Sequence, residues 1–119
     1  MQIVWSPQSL RDLRAIRDYI AKDSEEYADL TIARIFSAVE RLLHFPQSGR
    51  IVQERDDPEI REIIVRRFRV VYRFRGAAIE VATVFRASRE FPVNSDPFVW
   101  QLPKPGGVQN LDMAMPGSP

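Results

Sequence analysis

Residues 60–91, IREIIVRRFRVVYRFRGAAIEVATVFRASREF, constrain the fold more than any other part of the chain. Across residues 68–75 the side chains alternate without a break, with Phe68, Val70, Tyr72 and Phe74 on one parity and Arg69, Val71, Arg73 and Arg75 on the other. A period of two sends successive side chains to opposite faces of a strand, and aromatic and β-branched residues suit such a pleated surface. Gly76 supplies the permissive backbone for a turn into AIEVATVF, which repeats the alternation through Ile79, Val81, Thr83 and Phe85. The two runs therefore predict a β-hairpin. The preceding IREIIV, with Ile63 and Val65 on one parity, adds a third strand, and Arg66 and Arg67 interrupt the pattern between them. One face carries the aromatic row. The other carries arginines, whose unpaired burial is costly, so the pattern predicts a sheet covered on one side only.

The first half of the chain supplies the cover. MQIVW reads as a strand ending at Ser6; Ser6 offers a helix N-cap oxygen and Pro7 fits the first helical position, where its missing N–H costs nothing. Leu10, Leu13, Ile16 and Ile20 recur at helical spacing to about Lys22. Asp23 with Glu26 has the form of a capping box, and Ala28, Ile32, Ile35, Phe36, Val39, Leu42 and Leu43 trace the apolar face of a second helix ending near His44. So short a connection makes the two helices an antiparallel hairpin. The turn FPQSGR, residues 45–50, stops the second helix, because the residue before proline disfavours helix and glycine permits a sharp reversal. Residues 53–59 read as a loop. The predicted fold is α+β in the order β-α-α-β-β-β, with the N-terminal strand and helical hairpin packed on one face of a largely antiparallel four-stranded sheet.

Charge and composition narrow the function. The net charge is only +1, but residues 60–91 hold eight arginines, no lysine and three acids. Arginine in place of lysine suits planar, bidentate recognition of phosphate or carboxylate. There is no cysteine and one histidine, which argues against disulfides, metal sites and cofactor ligation. No apolar run is long enough to span a bilayer and no charged-then-apolar leader is visible, which predicts a cytoplasmic location and no membrane partner. Residues 92–119 hold six of the nine prolines and three of the five glycines, and read as a tail after a domain of residues 1–91. Within the tail, Phe98, Val99, Trp100 and Leu102 could dock on the domain or on a partner. Deleting residues 92–119 is expected to leave the domain folded.

Four stretches in this order and spacing, WSPQSLRDLRAIRDYI, FPQSGR, IREIIVRRFRVVYRF and VFRASREF, resemble the RelE/ParE toxin superfamily over residues 2–91. The resemblance implies a small toxin held inactive by a cognate antitoxin in a hetero-oligomer, without a cofactor. It further implies one of two targets. RelE-like relatives cut messenger RNA on the ribosome, which requires groups that activate a ribose hydroxyl and protonate the leaving oxygen; ParE-like relatives poison DNA gyrase and need no such set. Here the two lysines, Lys22 and Lys104, lie outside the sheet. Arg86 stands before ASR, where many relatives have histidine, and no tyrosine or histidine follows Arg89. These features favour a gyrase poison without catalytic residues over a RelE-like ribonuclease, with an inactive antitoxin-binding remnant as a third reading and a general nucleic-acid binding module as a fourth.

The residues expected to contact target or antitoxin are Arg61, Arg69, Arg73, Arg75, Arg86 and Arg89. Arg73→Ala is expected to weaken binding without unfolding the sheet. Tyr72 shares the parity of the core residues and is expected to pack there with its hydroxyl satisfied, and His44 is expected to serve as a cation at a helix end.

Overall fold

A computed structural model of the chain describes residues 1–55 and 57–88. Arg89 and the tail, residues 92–119, lie outside the described residues. The elements follow the expected order: β1 (Gln2–Trp5), α1 (Pro7–Ala21), α2 (Glu25–Arg41), β2 (Arg50–Ile51), β3 (Ile60–Val65), β4 (Phe68–Arg75) and β5 (Ala78–Arg86). They form one sheet in the order β1-β5-β4-β3-β2, with β1 parallel to β5 and every other neighbour antiparallel. The sheet thus has five strands rather than four. The additional strand is the end of the FPQSGR turn, where Arg50 and Ile51 pair with Glu62 and Arg61; two residues are too few to carry a readable alternation.

Local chemistry explains the helices. Ser6, in extended conformation, accepts a hydrogen bond from Ser9 N at 2.9 Å, and Pro7 begins α1. The second helix is capped by Ser24 and not by the expected box at Asp23. Asp23 N and Ser24 N both donate to Ile20 O and so belong to the closing turn of α1, which leaves Ser24 extended with its Oγ accepting from Tyr27 N at 3.0 Å. α2 ends at Arg41, and His44 lies in the turn that follows.

Both helices pack on the face bearing Phe68, Val70 and Tyr72, where Trp5, Leu13, Ile32, Ile35, Val39 and Leu42 complete the core. Each such aliphatic or aromatic side chain contributes roughly 1.5–3 kcal/mol on full burial. Trp5 meets Phe36 edge to face, with ring centroids 4.8 Å apart.

The alternation expected through residues 79–85 does not run unbroken. Val71 pairs with Thr83 but Tyr72 pairs with Val81, so Ala82 is an extra residue, a β-bulge in β5. Beyond it the parity inverts: Val84 joins Ile79 and Val81 in the main core, and Phe85 turns to the opposite face. There it joins Val52, Ile60 and Val71 in a second apolar cluster, so the sheet is not apolar on one side only. The bulge falls where β1 gives out, and Ser6 together with Asp12 of α1 satisfies the freed edge. Ser6 N donates to Val81 O at 3.0 Å, Ser6 Oγ to Ala82 O at 2.7 Å, and Asp12 Oδ2 accepts from Val84 N at 3.0 Å and Thr83 Oγ1 at 2.6 Å.

Candidate functional site

The outer face of the sheet, away from the helices, carries Arg69, Arg73 and Arg75, and each meets a carboxylate. Arg73 Nε donates to Glu80 Oε1 at 2.7 Å across the β4–β5 pair, and Arg75 lies 3.4 Å from Glu59 at the exposed rim. Arg69 is 7% exposed. Its Nε donates to Glu62 Oε1 at 2.6 Å, while Nη1 and Nη2 grip Glu54 at 3.1 and 3.0 Å in a bidentate fork. The other oxygen of Glu62 accepts from Arg50 Nε at 2.7 Å, and the Arg69 guanidinium lies 5.1 Å from the Phe85 ring centroid. The result is a ladder of alternating charge, Glu54–Arg69–Glu62–Arg50, laid across β2, β3 and β4. Much of the arginine excess read from the sequence is thereby neutralised within the fold.

Burial by itself would lower the pKa of Arg69, but its hydrogen bonds to Glu54 and Glu62 and their negative charge outweigh it and leave the guanidinium raised. The Arg69 hydrogen bond in turn holds the Glu54 carboxyl below its ordinary value. A carboxyl depressed in the folded state stabilises the fold above its unfolded pKa, and that contribution is lost as pH falls through the folded value. The stability gap between the native chain and Glu54→Gln is therefore expected to be present at neutral pH and to close in acid, below about 4.3. Because Glu54 is 39% exposed, the gap should be under about 1 kcal/mol. Urea titrations of both proteins at neutral and acid pH measure it.

Arg61 lies on the helix side, paired with Tyr72, and ties down the preceding turn. Its Nη1 donates to Gly49 O at 2.8 Å and to Gln47 O at 3.4 Å, holding the FPQSGR turn. Tyr72 holds the same turn from within the core: its hydroxyl donates to Pro46 O at 2.8 Å and accepts from Gly49 N at 3.0 Å. Burial raises the Tyr72 pKa, against the opposing effects of the Gly49 hydrogen bond and the Arg61 charge. A phenol so engaged is unsuited to proton transfer. The aromatics of the sheet are likewise spent on the core, which removes the stacking groups that a general nucleic-acid module would use there.

Arg86 leaves the end of β5, exposed, with its guanidinium 5.8 Å from the Tyr19 ring centroid. Near it stand two arginines that sequence reasoning passed over as mere pattern breakers. Arg66 and Arg67 form the two-residue β3–β4 turn, both exposed, and Arg66 has φ of 58°. Gly76 stands at the same place in the next hairpin with φ of 61°. An L-residue there is strained by about 1–2 kcal/mol, so Arg66→Gly is expected to stabilise the domain by roughly 0.5–1 kcal/mol after the entropic cost of glycine. Thermal unfolding should show a rise of a few degrees. The signal for this position was available in the sequence, since a two-residue turn between alternating strands favours glycine or asparagine at its first place.

Among the described residues no group of three or more His, Cys, Asp or Glu is arranged to hold a metal, and no helix is long and apolar enough to cross a membrane.

Comparison with known proteins adds to this geometry. The family model for the ParE toxin of the parDE type II toxin–antitoxin system matches residues 3–91. The Sinorhizobium fredii protein Y4kP is 32% identical over 92 residues, covering 76% of this chain and 93% of that protein. Toxin RelE2 of Caulobacter vibrioides is 36% identical over 64 residues, covering 54% of this chain and 68% of that protein. The fold matches a chain of the chromosomal ParDE system from P. aeruginosa with a TM-score of 0.61 at 24% identity, covering 72% of this chain and 95% of the other.

Proposed function

This chain belongs to the ParE toxin family and is the toxin of a toxin–antitoxin pair; from that premise we propose that its target is DNA gyrase and that a cognate antitoxin holds it inactive in the cytoplasm. The observation that carries the choice of target is the use made of Tyr72. The single tyrosine of the sheet strands is locked between Pro46 O and Gly49 N, where it cannot serve the proton transfers of message cleavage, while a poison that acts by binding needs only surface and charge.

The open edge of β3 supports the antitoxin reading. β2 covers only Arg61 and Glu62 of β3, which leaves the outer edge of the strand open along residues 63–65. Exposed Ile64, Leu30 and Ile51 flank that edge, at 46%, 44% and 45% exposure. An extended amphipathic or acidic segment adding to this edge would gain main-chain hydrogen bonds from β3 and apolar contact from its neighbours. Co-expression with the adjacent reading frame is expected to yield a complex that survives purification.

The RelE-like alternative, ribosome-dependent cleavage of messenger RNA, is favoured by one observation, the 36% identity to toxin RelE2. A gyrase cleavage assay run beside primer extension on a translated message separates the readings. Accumulation of gyrase-cleaved DNA with the message intact is the expected result. Cuts in the message with gyrase untouched would refute it, and silence in both would mark an inactive remnant that retains antitoxin binding.

A further inference from the structure

We propose that the β3–β4 turn end of the molecule is a phosphodiester-binding surface, in which Arg34, Arg66, Arg67 and Arg86 engage the backbone of a nucleic acid and the exposed rings of Tyr19 and Tyr27 lie beside it.

Three hollows at this end share their walls. A groove of about 620 Å³ beside α1 includes Tyr19 and Arg86. A small hollow of about 70 Å³ joins Arg86 to Tyr27, Arg34, Arg66 and Arg67. A third, of about 460 Å³, joins Arg34 and Arg66 to Arg41 along the open side of β3. Arg86 belongs to the first and second, and Arg34 and Arg66 to the second and third, so the three form one continuous surface.

Its charge is uncompensated. Among the described residues no carboxylate lines the second or third hollow, and Arg34, Arg66, Arg67 and Arg86 make no ion pair. The one acid in the first, Asp12, already accepts from Thr83, Val84 and Gln8. The contrast with the outer face is chemical: there each arginine has a glutamate, and here none does.

Arg66 adds a second, independent observation. It holds a backbone conformation that Gly76 adopts without strain in the next hairpin, and its exposed side chain returns nothing to the fold. Strain of this kind points to a function outside the fold. A line of arginines tracks a phosphate backbone and the planar guanidinium pairs with phosphate oxygens bidentately, while tyrosines exposed by 61% and 48% offer faces to sugars or bases. An acidic segment on the open edge of β3 would meet Arg34 and Arg66 in the third hollow but would leave Arg86 and the rings of the first two unused. The inference is independent of the choice of target, because gyrase and the ribosome both present nucleic acid.

The test is fluorescence anisotropy of the purified full-length chain with a short labelled duplex DNA and, separately, a single-stranded RNA, over a series of salt concentrations. Binding to either supports the proposal, and the tighter of the two identifies the source of the phosphate. Arg66→Gly combined with Arg67→Gln removes two contacts from a turn that glycine fits better, so the variant remains folded. It is expected to bind roughly tenfold more weakly, with the salt slope flattened by about 2. Arg11→Ala, which removes an exposed arginine that lines none of the three hollows, should change affinity by less than about twofold. Failure of the native chain to bind either nucleic acid, an unchanged slope in the double variant, or tighter binding to polyglutamate than to both would overturn the proposal.

Discussion

Gly49→Ala is expected to destabilise the domain by about 3 kcal/mol or more, the sum of overpacking and of hydrogen bonds lost around the turn. A Cβ at this position would stand 2.6 Å from the Tyr72 hydroxyl, 2.7 Å from the backbone oxygen of Glu62 and 2.8 Å from Tyr72 Cε1. None of the three can yield cheaply. Tyr72 is fully buried with its hydroxyl bonded on both sides, and the Glu62 oxygen belongs to a strand paired on both edges. The turn itself must shift, which removes the Gly49 N–H bond to Tyr72 and loosens the grip of Arg61 on Gly49 O. At roughly 4–8 °C per kcal/mol for a domain of this size, the melting temperature should fall by more than about 12 °C. Tyr72→Phe removes one of the clashing atoms, so the double variant should be less destabilised than the sum of the two singles. A loss below about 1 kcal/mol for Gly49→Ala would show that the turn is not held as described.

Arg69→Met should cost about 3–5 kcal/mol, because it leaves Glu62 charged in a site only 2% exposed. Arg50 cannot make up the loss, since it reaches only one oxygen and its side chain is 64% exposed. Glu54, left behind at 39% exposure, can turn to water. The prediction separates a structural arginine from a recognition arginine by its rescue: Arg69→Met with Glu62→Leu replaces a buried ion pair by apolar side chains and should recover most of the stability. Denaturant unfolding of the two variants measures this, and a double variant as unstable as the single would refute the pairing. The same reasoning corrects the expectation that Arg73→Ala spares the sheet. Glu80 is 10% exposed opposite it, so Arg73→Ala also carries a folding penalty, and binding data on that variant need a melting curve beside them.

Much of this protein was legible without coordinates, and the reason is locality. Strand alternation in residues 68–75 and helical spacing from Leu10 to Ile20 are signals written between neighbours two to four positions apart, and they specified β4, α1 and which face of β4 meets the helices. Ser6 and Pro7 marked the start of α1 by the same local chemistry. The order and spacing of four short stretches sufficed to indicate the toxin family, which the match over residues 3–91 shows.

What the sequence could not supply are the partnerships made across the fold. The bulge at Ala82 is a property of two strands and a helix together: β1 ends beside it, and Ser6 and Asp12, some 70 residues distant in the chain, take over the hydrogen bonds that β1 no longer provides. That single insertion moved Phe85 from the core side to the outer face, against its parity in the sequence. Whether an arginine is a tool or a structural tie depends on which carboxylate the register brings to it. Arg69 is as arginine-like in sequence as Arg67, yet one is locked between Glu54 and Glu62 and the other stands exposed in a turn. By itself the sequence determined how many charges there are and which segments carry them. Tertiary structure alone decided which are neutralised and which lie together, because Arg34, Arg66, Arg67 and Arg86 come from three separate elements: the β4–β5 register sets Arg86 beside the turn of Arg66 and Arg67, and the packing of α2 against β3 adds Arg34.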